Sequence, residues 1–101
     1  MKKNDEGIQK LIAELRLLYG KVRGEREFLA LKKSELRPGD EISFFGFIQA
    51  REQLACETSL LTGHAILVQE IIARKKIVVP AADQRFLKEI NALSWMYISR
   101  I

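Results

Sequence analysis

EISFFGFIQAREQLACETSLLTGHAILVQEIIARKK, residues 41–76, contains no proline and sets Phe47, Leu54, Leu61 and Val68 seven residues apart. Seven residues are close to two α-helical turns, so these four side chains share one side of a helix roughly 30 residues, or about 45 Å, long. That length exceeds the width of a small domain and predicts an elongated helical scaffold. No comparably strong signature of chemistry accompanies it.

Upstream, Ile8, Leu11, Ile12, Leu15, Leu18, Tyr19 and Val22 recur at the i, i+3, i+4, i+7 spacing of an apolar helical stripe. Gly20 and Gly24 favour a kink, since each costs about 1 kcal/mol relative to alanine inside a helix. The phase of Ile8, Leu15, Val22, Leu29 and Leu36 runs through both glycines and favours continuity. Pro38-Gly39 is suited to the centre of a tight turn, with Asp40 next as a cap. Helices 1 and 2 are therefore expected to form an antiparallel hairpin, with Val22 facing Ala55, Tyr19 facing Thr58 and Ile12 facing Ala65. After Ile77-Val-Val-Pro80, Asp83 can cap a third helix carrying Phe86, Leu87, Ile90, Leu93 and Tyr97 on one side. The expected fold is a single all-α domain over 1–101: an antiparallel three-helix bundle with helices at about 5–33, 41–75 and 83–99, completed by dimerisation.

With 101 residues, 48% hydrophobic and 30% charged, the chain can build one modest core. Seventeen basic and thirteen acidic residues leave a net charge of +4, which permits contact with phosphate without demanding it. Cys56 is the lone cysteine, so no intrachain disulfide or thiol-pair metal site can form, in keeping with a reducing, cytoplasmic setting. Lys10, Glu14 and Arg16 interrupt the first apolar run, unlike a signal peptide, and no stretch has the ~18 uncharged apolar residues of a membrane span.

Helix 3 is shorter than the hairpin, and His64-Ala-Ile-Leu-Val-Gln-Glu-Ile-Ile-Ala73 is apolar nearly all round. A homodimer or a helical protein partner would cover the surplus, with Leu61, Leu67, Val68, Ile71, Ile72, Trp95 and Met96 as the expected contacts. Arg26 and Arg51 lie on the apolar stripes and face each other in the hairpin register, a pairing suited to a small anion between two guanidinium groups. Their ordinary role is to be neutralised by Glu25 and Glu52 or to reach solvent. Lys2, Lys3, Arg74, Lys75 and Lys76 gather at the end opposite the turn, where they can contact phosphate backbone or simply complement the helix dipole. Cys56 and His64 are ~12 Å apart along a helix, too far for a nucleophile pair, and are expected to be a packing residue and a boundary residue.

Dividing residues 47–76 at Gly63 gives a helix-turn-helix, although Ala65 to Val68 and Ile71 to Ala73 offer few groups that read bases. No phosphate loop, activated serine, metal-ligand cluster or cofactor motif is present in the sequence. The leading expectation is a small intracellular interaction or regulatory protein acting by binding. A basic nucleic-acid-binding regulator comes second, and a small-anion-binding helical dimer enzyme third.

Overall fold

The computed structural model describes residues 6–93, and within them the chain forms three helices and no strand. Helix α1 spans Glu6–Ser34, α2 Glu41–Lys75 and α3 Ala81–Asn91. The radius of gyration is 16.9 Å and the long axis measures 63 Å against widths of 18 and 17 Å. A compact chain of this length would have a radius near 13 Å, so the hairpin sets the shape.

The turn forms as its residue types require. The Asp40 N–H donates to the Arg37 carbonyl at 3.2 Å, and Gly39 takes a φ of 89° between them. Positive φ at the position after proline is the type II arrangement that glycine enters without steric cost. Asp40 then caps α2, its Oδ1 accepting the Ser43 N–H at 3.1 Å. At the far end Lys76 adopts φ 55°, with Lys76 N–H donating to Ala73 and Ile77 N–H to Ile72, the paired bonds of a left-handed helix stop. The chain then turns through buried Val79 and Pro80 into α3.

The core follows the heptad stripe. Leu54 and Leu61 are fully buried, with Phe47, Val68 and Ala65 beside them, against Ile8, Ile12, Leu15, Val22 and Leu29 of α1. Thr58 is the polar exception, its hydroxyl returning a 2.9 Å hydrogen bond to the Leu54 carbonyl. Helix α3 contributes Phe86, Leu87 and Ile90. It is tied to α1 by Arg16, whose Nη2 is 2.6 Å from Asp83 and whose guanidinium lies 4.3 Å from the Phe86 ring centre. Tyr19 meets Phe86 edge-on at 5.6 Å and donates to Glu89 at 3.2 Å. On α2, Gln69 accepts a hydrogen bond from Asn91.

The expected continuity of the two long helices holds, and the bounds and cap of the third change. Helix α1 runs without a break through Gly20 and Gly24, both solvent-facing. Helix α2 is likewise continuous through Gly63, so the helix-turn-helix division does not form. Helix α3 begins at Ala81 and ends at Asn91 rather than spanning 83–99. Its N-cap is Pro80, because the Asp83 carboxylate is engaged by Arg16 from another helix. Tyr19 also reaches α3, through the Phe86 ring. Expectations for Trp95, Met96 and Tyr97 lie outside the described residues, as do those for Lys2 and Lys3.

Candidate interaction face

A helix advances 100° per residue, so each side of the hairpin can be followed along both helices. One side carries Arg16, Tyr19 and Arg23 of α1 and Gln69 of α2, and α3 lies on it. The other side has no helix over it among the described residues. It presents two hollows separated by a charged cluster.

The hollow near the turn holds about 350 Å³. Leu29, Leu36 and Phe47 form its floor, and Phe28, Lys32, Glu35, Ser43, Gly46 and Ala50 surround it. A Cβ added at Gly46 would meet nothing within 4 Å, so this glycine answers no packing demand inside the chain. The hollow at the other end holds about 360 Å³ between Leu11, Leu15 and Leu18 of α1 and Leu67, Val68 and Ile71 of α2, with Glu14 and His64 as its polar rim. Leu67 is 56% exposed, Leu60 57% and Phe28 57%, each large and apolar. Such residues singly are ordinary; here three of them stand beside two apolar hollows.

Between the hollows, the Lys21 Nζ lies 3.2 Å from Glu57 and 3.8 Å from Glu25. Glu25 is held above the usual carboxylate range, chiefly by its hydrogen bond to Glu57, then by burial and by repulsion from the same neighbour. Glu57 is held below it, first by accepting that hydrogen bond and then by Lys21. The Lys21 ammonium is pushed up by both carboxylates, Glu57 foremost. The two carboxyls thus titrate as an interacting pair, Glu25 taking up its proton before Glu57 as pH falls. Glu57, with its lowered value, contributes stability present above the unfolded carboxylate pKa and lost as pH falls through its own. Glu25 contributes stability present below the unfolded pKa and lost as pH rises through its raised value. Carboxyl NMR titration should place Glu25 above and Glu57 below an ordinary glutamate, with Glu25→Ala moving Glu57 back upward. Identical midpoints for both would show that the two carboxyls do not interact.

The sequence-predicted contacts divide into two groups. Leu67 is exposed and Ile71 and Ile72 half-buried, whereas Leu61 is fully buried in the chain's own core and Val68 is buried there with one side lining the far hollow. Their seven-residue spacing marked the internal seam. Cys56, expected to pack, is exposed on the back of α2. His64 is an exposed rim residue. Arg26 and Arg51 are half-buried on the α3 side, and the Arg51 Nε is buried without a hydrogen-bond partner in the structure. Arg74, Lys75 and Lys76 are exposed at the end of α2. Among the described residues no group of three metal-ligating side chains occurs, and no helix is long and apolar enough to cross a membrane. Sequence reasoning missed Phe28, Leu60, Gly46 and the Lys21–Glu25–Glu57 cluster, although all but Leu60 could be placed beside the seam by helical phase. No family model, curated protein or solved structure matches the chain.

Proposed function

We propose that this protein acts by binding, as a helical interaction protein whose bare hairpin face receives a second copy of the chain. The supporting observation is that two apolar hollows and the exposed Leu60, Leu67 and Phe28 lie on the one side of the hairpin that α3 leaves open.

Light scattering at ~50 µM should read twice the chain mass. The double variant Leu60→Glu/Leu67→Glu should read the monomer mass with unchanged helicity, because both side chains point away from the internal core. A parent protein that is monomeric at that concentration overturns the proposal.

A further inference from the structure

We infer that the second copy lies antiparallel across this face, α1 against α1 and α2 against α2, about a two-fold axis level with Arg23 and Glu57. The inference rests on the binding reading above and adds its geometry. In a two-fold contact each residue must suit the one equally far on the other side of the axis.

On α1 the charges beside the seam alternate in sign: Lys10, Glu14, Lys21, Glu25, Lys32, Glu35. Reversing this stripe about Arg23 sets Lys21 against Glu25 and Glu14 against Lys32, and brings Lys10 within one residue of Glu35. Every pair has opposite charge. On α2 Ser43, Gly46 and Ala50 lie beside the seam towards the turn, and His64, Leu67, Val68 and Ile71 towards the other end. Reversal about Glu57 sets Ser43 against Ile71, Gly46 against Val68 beside Leu67, and Ala50 against His64. Large meets small in each case, as interdigitated packing requires.

The two helices agree on the position of the axis, since the Lys21 to Glu57 ion pair puts Arg23 and Glu57 near one level. Gly46 and Leu67 are each about 16 Å from Glu57 along the helix, so each hollow falls on the other. Phe28, on the rim of one hollow, is carried to the partner's Leu18. Glu57 meets its own copy on the axis, and two Lys21 ammonium groups offset that repulsion. A two-fold along the hairpin axis would instead set each hollow against its own copy and leave both unfilled.

The test is a charge exchange within one chain. Lys32→Glu places glutamate against Glu14 of the other copy twice per dimer and should weaken association by ~10-fold or more. Adding Glu14→Lys should restore it. The two positions are about 27 Å apart on one helix, so restoration cannot arise inside a chain. Lys32 also stands 5.3 Å from the Phe28 ring centre, so the unfolding midpoint is followed in parallel to separate a folding effect. In a Cys56→Ser background, Gly46→Cys and Leu67→Cys chains should cross-link through a short thiol reagent when mixed, and neither should cross-link alone. A dimeric parent that shows no restoration, or Gly46→Cys chains that link to each other, overturns the antiparallel arrangement while leaving the binding reading intact. A monomeric parent overturns both.

Discussion

Leu54→Ala should lower the free energy of unfolding by about 3 kcal/mol and the thermal midpoint by roughly 15 °C. Leu54 is 0% exposed and occupies the middle of the α1–α2 seam, between Phe47 and Leu61 on its own helix. The loss combines the transfer of the removed methyl groups with the cavity left behind, because long helices locked in register on both sides cannot collapse into the gap. That cost is large against the ~5–15 kcal/mol total stability of a domain. Leu31→Ala, at a position 58% exposed, should cost no more than ~0.5 kcal/mol and serves as the reference. Urea unfolding at one fixed protein concentration measures both, since self-association would otherwise shift the midpoint. Equal losses for the two variants would show that the seam is not the core.

Ile90→Ala should act differently, releasing α3 rather than unfolding the chain. An isolated helix shorter than about 12 residues is marginal in water, and α3 has 11 residues and no side-chain cap. Its docking depends on Phe86, Leu87 and Ile90, of which Ile90 is 0% exposed. Removing ~2–4 kcal/mol from so small a contact exceeds what the Arg16–Asp83 pair can offset, given that Arg16 is largely solvated. Native-state hydrogen exchange should show amides 81–91 losing protection while those of 47–68 keep it. Parallel loss in both segments would make α3 part of one cooperative unit with the hairpin.

The hairpin was legible in the sequence because its determinants are local. Proline and glycine at 38 and 39 select the turn, Asp40 caps the following helix, and the seven-residue apolar phase is buried as expected. The same phase correctly outweighed Gly20 and Gly24, which sit where no side chain is required. The start of α3 was not legible, because Asp83 is a sound cap by type and only the fold brings Arg16 to it. The interaction face was half legible. Of the expected contacts, Leu67 and Ile71 border the far hollow, but Leu61 belongs to the seam, because a helix apolar all round does not show which stripe its own neighbour takes. Assigning that stripe needs the position of α1.

The turn at Pro38-Gly39 also bears on how the molecule forms. The two residues nearest it on the seam, Leu29 and Phe47, are close in sequence, so the first contacts close a short loop on a timescale of ~10–100 ns. Each further layer then adds to a structure already begun, with little additional loop entropy. The hairpin can zip from its bend towards its open end, and the last layers to close are Ile8 and Ile12 against α2. A chain organised in this way folds quickly through neighbouring contacts, and its long seam is acquired in order of distance from one proline.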